Sequence, residues 1–342
     1  MSMGTLMMAA EAVQGTLTGK DCTFDAVSTD TRKLQPGELF FALRGERFDA
    51  ATFLDEASRI GAAGAVVASR QAGDLPQIEV ADTRAALGAL ARAWRGRFQA
   101  QLVAITGSNG KTTCKEMLAG ILRVAYDDPA TSDKDSVVLV TEGNLNNEIG
   151  LPITVLRLRD RHRVVVCEMG ASRSGDIAYL ADIAAPTMGI VTNAGAAHLE
   201  GFGSEDVVAA TKGELFEALG EGGVAVLNRD DANFSLWCAC AASAGRVPFG
   251  LHEAADYRAS GIEEEVSDTS CTLAFDMHTP DGLIRITLPM AGRHNVHNAL
   301  AAAAAARAVG VSIEAVRAGL AGVRNIAGRL QAVPGPRGMR VF

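Results

Sequence analysis

A glycine-rich segment followed by lysine and two threonines carries the clearest chemistry in this sequence. The apolar run Leu102–Ile105 leads into it, and a helix-forming stretch, Lys115–Val124, follows it. Glycines let backbone N–H groups approach phosphate oxygens closely, a helix N-terminus adds a partial positive charge, and Lys111 adds a full one. Thr112 supplies the hydroxyl that loops of this kind place on magnesium. The order predicts a strand, a nucleotide-phosphate loop and a helix.

The loop is the shorter Gly-x-x-Gly-Lys-Thr form, because Ile105 stands where the longer form has a glycine. An ordinary glycine turn is the alternative, but it would not require Lys-Thr-Thr at the start of the helix. The residues that we expect to hold nucleotide phosphate are Gly107, Ser108, Asn109, Gly110, Lys111, Thr112 and Thr113.

Two further side chains, Glu168 and His198, could take part in chemistry, and one polar loop could bind a substrate. Glu168 follows the segment Arg163–Cys167, which contains the apolar strand Val164–Cys167, and a carboxylate there could hold magnesium or could simply be solvated. His198 follows a small-residue turn, which suits either a ligand or a packing role. Lys212 lies in a helical stretch, where a lysine is normally a surface charge. The amide-rich segment Asn144–Gly150 could satisfy neighbouring backbone groups or bind a polar substrate.

Composition limits the kind of protein that carries these residues. The chain has 342 residues, 48% hydrophobic, and a net charge of −8 without a basic block, which argues against nucleic acid or an anionic membrane as a partner. No stretch approaches the roughly 20 apolar residues of a membrane span, and Met1–Gly15 is predicted to be an amphipathic helix rather than a signal peptide. The six scattered cysteines are expected to be free thiols in a reducing cytoplasm.

The alternation of apolar strands with helical stretches predicts an α/β fold in two parts. Residues 1–98 are predicted to form a small N-terminal α/β domain. Residues 99–330 are predicted to form a P-loop ATPase-like domain with a mostly parallel sheet flanked by helices, whose ligands bind at the carboxyl ends of the strands. Short alternating runs within 255–290 indicate an antiparallel excursion, and the alanine-rich stretch Ala299–Ala308 indicates a buried helix.

Eight motifs along the chain resemble, in the same order, those of the Mur ligases, the ATP-dependent amide-bond-forming family of cell-wall synthesis. The resemblance spans nearly the whole chain, and its Gly-Asn-Leu-Asn-Asn and Glu-Met-Gly-Ala segments are typical of the branch that adds D-alanyl-D-alanine. The motifs are Gly107-Ser-Asn-Gly-Lys-Thr-Thr113, Thr141-Glu-Gly-Asn-Leu-Asn-Asn-Glu-Ile-Gly150, Glu168-Met-Gly-Ala171, Thr192-Asn-Ala-Gly195 with His198, Lys212-Gly-Glu214, Asn228-Arg-Asp-Asp231, Gly292-Arg-His-Asn-Val-His-Asn298 and Gly328-Arg-Leu330.

The resemblance implies an ATP-dependent ligase of peptidoglycan synthesis. Such an enzyme joins D-alanyl-D-alanine to UDP-N-acetylmuramoyl-tripeptide through an acyl phosphate and releases ADP and phosphate. Its cofactors would be ATP and Mg²⁺, and we expect a cytoplasmic monomer. A sibling ligase that adds a different amino acid is the alternative activity.

The resemblance also assigns roles to individual residues. Lys111 is expected to contact the β- and γ-phosphates of ATP, while Thr112, Glu168 and His198 are expected to hold magnesium. Lys212 resembles the family's carbamylated lysine, which as an anion could lie near two metal ions. Lys111, Lys212 and His198 are therefore the expected catalytic residues. The other expected contacts are Asn295, Asn298 and Arg329 for the nucleotide, and Ser28, Thr29, Asp30, Arg32, Thr141, Asn144, Asn146 and Asn147 for the substrate.

Members of the family carry a third, Rossmann-like domain. Residues 331–342 are expected to be its beginning, because the closing segment Gly338–Phe342 resembles the start of a strand. A chain that lacks this domain is expected to bind the UDP precursor, to bind nucleotide more weakly and to turn over near background. Ligand binding without catalysis is therefore a further alternative for residues 1–342.

Overall fold

A computed structural model describes residues 2–45, 49–132, 135–195, 202–266, 271–323, 333–334 and 340–341. The chain divides into two compact units. The first consists of Met1–Gln99, Leu145–Arg159 and Asp182–Ala184, and the second consists of Ala100–Asn144, Asp160–Ala181 and Ala185–Phe342. The described strands are numbered β1–β18 and the described helices α1–α10 along the chain.

The first unit contains a five-stranded sheet in the order β2-β7-β6-β5-β4 and a two-stranded sheet, β1-β3. Strands β4 to β7 run parallel, and β2 pairs antiparallel with β7. The strands are β1 Gly4–Thr5, β2 Thr16–Thr18, β3 Thr23–Phe24, β4 Val27–Ser28, β5 Leu39–Phe41, β6 Gly64–Val67 and β7 Gln77–Glu79. The helices are α1 Leu6–Ala12, α2 Leu54–Ile60, α3 Thr83–Arg95 and α5 Gly150–Leu156, and a 3-10 turn spans Ala50–Phe53.

Helix α3 illustrates how local sequence and packing agree in this unit. It begins after Asp82, whose carboxylate accepts the N–H groups of Arg84 and Ala85 at 2.8 and 3.2 Å. Such an N-cap satisfies backbone donors that have no partner within the helix. One face of the helix is buried, and the indole of Trp94 on that face donates a hydrogen bond to the Leu158 carbonyl at 3.2 Å.

The second unit is built on a nine-stranded sheet in the order β16-β15-β14-β13-β12-β11-β8-β10-β9. Strands β8 to β14 are parallel, and β14, β15 and β16 form an antiparallel meander at one edge. The strands are β8 Gln101–Thr106, β9 Val138–Val140, β10 Val164–Glu168, β11 Met188–Val191, β12 Val224–Asn228, β13 Gly245–Gly250, β14 Tyr257–Val266, β15 Cys271–Thr279 and β16 Gly282–Leu288. A separate short pair joins β17 Val333–Pro334 to β18 Arg340–Val341.

Helices of the second unit pack on the sheet. They are α4 Lys111–Tyr126, α6 Asp176–Ala184, α7 Glu205–Glu217, α8 Phe234–Cys240, α9 His294–Ala308 and α10 Ile313–Ala321, and the last three residues of α6 are assigned to the first unit. Buried residues of α4, α9 and α10 share one hydrophobic cluster with strand residues such as Val103 and Ile105. Gly319 of α10 lies against α4, because a Cβ there would come within 2.4 Å of the Ile121 Cα. Small residues therefore let these helices pack closely.

Most of the predicted elements are confirmed in the second unit. The phosphate loop lies between β8 and α4, although the helix begins at Lys111 rather than at Lys115. Alanines 301–306 of α9 are fully buried, as the alanine-rich stretch predicted. The antiparallel excursion is also confirmed, and it extends the main sheet. Because β8 lies between β10 and β11, the loops after these three parallel strands meet at one edge.

Among the described residues, every helix is too short or too polar to span a bilayer.

Candidate functional site

The phosphate loop requires glycine at two positions for reasons of space and backbone conformation. Gly107 has φ +143°, and a Cβ there would lie 1.9 Å from the Thr192 Oγ1. Gly110 has φ +82°, and a Cβ there would lie 2.3 Å from the Asn298 Oδ1. Side-chain-bearing residues rarely adopt these φ values. The loop backbone therefore passes closer to β11 and α9 than any other residue type would allow.

The segment that follows β11 holds the loop in this conformation. The Ser108 N–H donates to the Asn193 carbonyl at 2.9 Å, and the Asn109 N–H donates to the Asn193 Oδ1 at 3.0 Å. In return, the Thr192 hydroxyl donates to the Asn109 carbonyl at 2.6 Å. Gly195 adds a further hydrogen bond to the loop, because its N–H donates to the Ser108 Oγ at 3.0 Å. The sequence marked Thr192–Gly195 only as a motif, and its bracing role is visible only in the fold.

The loop and the start of α4 form an environment suited to an anion. Gly110 is the N-cap of α4 and has no side chain that could occupy the helix N-terminus. The first backbone N–H groups of a helix carry a partial positive charge. The Lys111 ammonium folds back over the loop and donates to the carbonyls of Gly107 and Ser108 at 2.7 and 3.3 Å. Thr112 and Thr113 occupy the first turn behind it.

Two side-chain oxygen groups adjoin this loop at the end of β10, the Thr112 hydroxyl and the Glu168 carboxylate. The Thr112 hydroxyl donates to the Glu168 Oε2 at 3.0 Å, and Glu168 is only 2% exposed. Glu168 is thus held against the phosphate loop, and its solvated alternative is wrong. A hydroxyl and a carboxylate are the oxygen donors that hard cations such as Mg²⁺ prefer. Among the described residues, no group of three or more His, Cys, Asp or Glu side chains is arranged to hold a metal. His198 lies outside the described residues.

Lys212 is buried in α7, so the surface alternative for this lysine is wrong. The residue is 3% exposed, and its Nζ lies 5.6 Å from the centroid of the Phe202 ring. Burial, and secondly the nearby positive charge of Lys111, lower the pKa of Lys212 to about 8, and the negative charges of Glu214 and Asp176 limit the shift. A lysine with this pKa has an appreciable neutral fraction near physiological pH.

A cavity of about 330 Å³ opens beside the phosphate loop. Asn298 lines it, and the Asn298 amide donates to the Asn295 Oδ1 at 3.0 Å. Asn295 in turn donates to the Ala291 carbonyl at 2.6 Å, so the pair is fixed within α9 and the turn before it. The residues around the cavity are Asn109, Gly110, Thr192, Asn193, Asn228, Asp230, Asp231, Phe249, His294, His297 and Asn298.

Sequence reasoning did not assign a role to Asp230 and His297, which form a pair on the cavity wall. The His297 Nε2 lies 2.8 Å from the Asp230 Oδ2. Burial would raise the pKa of Asp230, but hydrogen bonds from the Leu251 N–H, the His297 ring and the His252 N–H lower it below its usual value overall. The carboxylate is therefore ionised and orients the imidazole. The only sequence signal was the presence of both residues in family motifs.

The substrate residues expected in the first unit form two local structures. The Arg32 guanidinium donates to both carboxylate oxygens of Asp30, at 2.8 and 2.7 Å, and lowers the pKa of Asp30 to about 2. The Ser28 hydroxyl donates to the Asp30 carbonyl at 3.1 Å. Thr29, which lies between them in the sequence, is half-buried. This compact polar turn follows β4.

The second local structure of the first unit is the start of α5. The Asn147 Oδ1 accepts the N–H groups of Ile149 and Gly150 at 3.3 and 2.9 Å, so this amide satisfies neighbouring backbone, and Asn146 is half-buried beside it. In the second unit, Thr141 is buried at the end of β9 and Asn144 is exposed. Arg329 lies outside the described residues.

Comparison with known proteins identifies the family. The Mur ligase middle domain matches residues 105–306. The UDP-N-acetylmuramoyl-tripeptide--D-alanyl-D-alanine ligase of Escherichia coli strain K12 is 44% identical over 328 residues, which cover 95% of this chain and 69% of that protein. The ligase of the same name from Haemophilus influenzae is 41% identical, over 94% of this chain and 68% of that protein.

Solved structures agree with these relatives. Crystal structure I of MurF from Acinetobacter baumannii superposes with a TM-score of 0.87 at 36% identity and covers 98% of this chain and 71% of that one. MurF from Thermotoga maritima, solved in complex with ADP, superposes with a TM-score of 0.77 at 29% identity, over 90% of this chain and 68% of that one. The chain spans about 70% of the length of these proteins and belongs to the Mur ligase family.

Proposed function

We propose that this protein joins D-alanyl-D-alanine to UDP-N-acetylmuramoyl-tripeptide in an ATP-dependent reaction of peptidoglycan synthesis. The observation that carries the proposal is the 44% identity over 328 residues to the Escherichia coli ligase with that name. The geometry of the phosphate loop supports it independently, because the loop places a lysine, a helix N-terminus and oxygen ligands together. No observation favours the sibling ligase that adds a different amino acid.

ATP is the proposed nucleotide, and its phosphates would bind to the loop that follows β8. Lys111 would exchange its contacts with the Gly107 and Ser108 carbonyls for the β- and γ-phosphates. The cavity beside the loop would receive the adenosine, with Asn298 on its wall and Asn295 behind Asn298. The Thermotoga maritima neighbour was solved in complex with ADP, which supports nucleotide binding by this chain. Arg329 stays a predicted nucleotide contact.

Magnesium fits the oxygen donors at the start of α4. The Thr112 hydroxyl and the Glu168 carboxylate already point at one another, and an ion bound there would lie beside the proposed phosphate site. The predicted third ligand is His198. When bound, Mg²⁺ would neutralise charge on the phosphate oxygens during transfer.

We also propose that Lys212 carries CO₂ as a carbamate. Carbamate forms by attack of a neutral amine on CO₂, and about half of the amine is neutral at pH 8 when the pKa is about 8. An ordinary lysine pKa of 10.5 would leave about 0.3% neutral at the same pH. Burial next to Lys111 thus favours a modification that replaces a second cation with an anion.

The reaction begins with a carboxylate, which is a poor acylating agent in water. The terminal carboxylate of the tripeptide would attack the γ-phosphorus of ATP, and ADP would leave. The amine of D-alanyl-D-alanine would then attack the acyl phosphate, and phosphate would leave as the amide forms. Lys111 and the N–H groups of α4 would stabilise the negative charge on the transferred phosphoryl group. No side-chain nucleophile is required for either step.

The remaining residue assignments concern the peptide substrate and the setting of the reaction. We propose that Ser28, Thr29, Asp30 and Arg32 bind the UDP precursor and that Thr141, Asn144, Asn146 and Asn147 bind the substrate. The use of ATP supports the further proposal of a cytoplasmic location. We also propose that the protein acts as a monomer.

An assay with the product of the complete reading frame that encodes this chain tests the proposal. With ATP, Mg²⁺, UDP-N-acetylmuramoyl-tripeptide and D-alanyl-D-alanine, phosphate release is expected to require all four components. Replacing Lys111 with alanine is expected to lower the rate at least about 100-fold, because a charged contact to the transferred group is lost. Faster release with diaminopimelate or lysine than with D-alanyl-D-alanine would instead identify a sibling ligase. Absence of release with any amine would overturn the proposal.

A further inference from the structure

Lys115 is a buried lysine that the proposed mechanism does not use. It lies one helical turn after Lys111 on α4 and is fully buried, with a relative exposure of 0%. Transfer of an ammonium group from water to a protein interior is costly unless the charge is paired and its hydrogen bonds are satisfied. A leucine or methionine would fill the same position without that cost. The contacts of the Lys115 ammonium must therefore offset the cost of its burial.

The Lys115 ammonium has two described partners, which serve different purposes. The Glu116 Oε1 lies 2.9 Å from the Nζ and balances its charge, and the Glu116 side chain is 36% exposed. The Nζ also donates to the backbone carbonyl of Thr141 at 2.8 Å, in a buried position. Because Thr141 directly follows β9, this hydrogen bond attaches the end of that strand to α4.

Thr141 extends the connection from Lys115 to Glu168. Its hydroxyl oxygen accepts the Glu168 N–H at 3.0 Å, and its own N–H donates to the Val166 carbonyl at 3.0 Å. Thr141 is thus hydrogen-bonded to the last residues of strand β10 on one side and to Lys115 on the other. Any displacement of its backbone would be transmitted to the backbone of Glu168.

The connection closes into a ring through the Glu168 carboxylate and the Thr112 hydroxyl. The Glu168 carboxylate accepts the Thr112 hydroxyl at 3.0 Å, and Thr112 lies on the same helix as Lys115, three residues earlier. The ring runs from α4 through Lys115, Thr141, Glu168 and Thr112 back to α4. Each member is tied to two others, so the carboxylate is fixed relative to the phosphate loop.

We infer that Lys115 is a positioning residue, which fixes the Glu168 carboxylate relative to the Thr112 hydroxyl for a divalent cation. The inference rests on the proposed function, because that function assigns the cation to these two oxygens. The Lys115 ammonium contacts the Thr141 carbonyl and the Glu116 carboxylate, and it would act on the cation only through Thr141 and Glu168. Groups that orient a metal ligand from outside the ligand set typically change metal affinity by about 10- to 100-fold when removed.

Calorimetric titration of the protein with ADP at a series of Mg²⁺ concentrations tests the inference without any turnover. Lys115→Met removes the ammonium but keeps a similar volume, and Thr141→Val cuts the ring without touching the lysine. Both are expected to raise the Mg²⁺ concentration for half-maximal enhancement of ADP binding by about tenfold. Thr141→Ser keeps the hydroxyl that accepts the Glu168 N–H, and its Mg²⁺ midpoint for ADP binding is expected to stay near that of wild type. Lys20→Met, on an exposed lysine of the first unit, is the matched control and is expected to change nothing.

The Mg²⁺ midpoint separates positioning from a purely structural role, because it does not depend on the fraction of folded protein. A lower thermal unfolding temperature with an unchanged midpoint in both Lys115→Met and Thr141→Val would overturn the inference. If Lys115→Met does not fold, an unchanged Mg²⁺ midpoint in Thr141→Val is sufficient to overturn the inference, and a raised midpoint supports it. Wild-type ADP binding that is indifferent to Mg²⁺ would instead refute the proposed cation site, and this failure is distinct because it appears before any substitution is made.

Discussion

Gly110→Ala and Gly175→Ala form a matched pair that tests whether the cavity beside the phosphate loop binds nucleotide. Both glycines are N-caps of helices and have nearly the same backbone conformation, φ 82° and ψ −9° for Gly110 and φ 87° and ψ −14° for Gly175. They differ in their neighbours. An added Cβ would lie 2.3 Å from the Asn298 Oδ1 at position 110, but it would have nothing within 4 Å at position 175.

The expected magnitudes follow from this difference. Left-handed backbone conformation costs an alanine about 1–2 kcal/mol, and this cost applies equally to both variants. In Gly110→Ala, Asn298 must also move, which breaks its hydrogen bond to Asn295 and costs about 1 kcal/mol more. The free energy of unfolding is therefore expected to fall by about 1–2 kcal/mol for Gly175→Ala and by about 2–3 kcal/mol for Gly110→Ala.

The effect on nucleotide binding is expected to separate the two variants more clearly. Displacement of Asn298 removes a hydrogen-bonding group from the cavity wall, so ADP is expected to bind Gly110→Ala at least about tenfold more weakly than wild type. Gly175→Ala is expected to bind ADP within about twofold of wild type. Calorimetric titration measures both affinities, and urea unfolding measures both stabilities. Equal ADP affinities in the two variants would refute the assignment of this cavity to the nucleotide.

Three further predictions concern titratable groups. Protein equilibrated with ¹³CO₂ is expected to give a carbamate carbon signal that grows as pH rises through about 8 at constant dissolved CO₂ and is absent from Lys212→Ala; the same signal in both proteins would place the carbamate elsewhere. Arg32→Ala is expected to raise the NMR-measured pKa of Asp30 from about 2 towards 3.8. In wild type, the ion pair stabilises the folded state fully above pH 3.8, and this stabilisation is lost as pH falls through about 2; the variant should have less of it. An unchanged pKa of Asp30 would contradict the ion pair. Cys114, whose pKa burial raises to about 12, is expected to resist alkylation at pH 8 until the protein unfolds, and rapid labelling of native protein would contradict this burial.

Features that depend on local sequence could be predicted, and the phosphate loop is the clearest of them. Its glycines, lysine and threonines are adjacent in the chain, and the apolar runs on either side fix the strand and the helix. The buried helix α9 was predictable for a similar reason, because a run of alanines has no polar face. In both cases the physical requirement and the residues that meet it lie within one short segment.

Features that depend on partners far along the chain could not be predicted. Asp230 and His297 are 67 residues apart, and only the fold brings them together on the cavity wall. Lys115 and Lys212 lie in helical stretches where lysine is usually exposed, and their burial depends on how those helices pack. The partner that stabilises Lys115, the carbonyl of Thr141, has no signature in the sequence, because every residue carries a carbonyl.

The central claim is that ATP activates the terminal carboxylate of the peptide. Tripeptide precursor with both oxygens of that carboxylate replaced by ¹⁸O tests it directly in the reaction with ATP, Mg²⁺ and D-alanyl-D-alanine. Attack of the carboxylate on the γ-phosphorus would transfer a single ¹⁸O to the released phosphate and leave the other in the new amide, and mass spectrometry detects both. Ligated product accompanied by unlabelled phosphate would contradict the account.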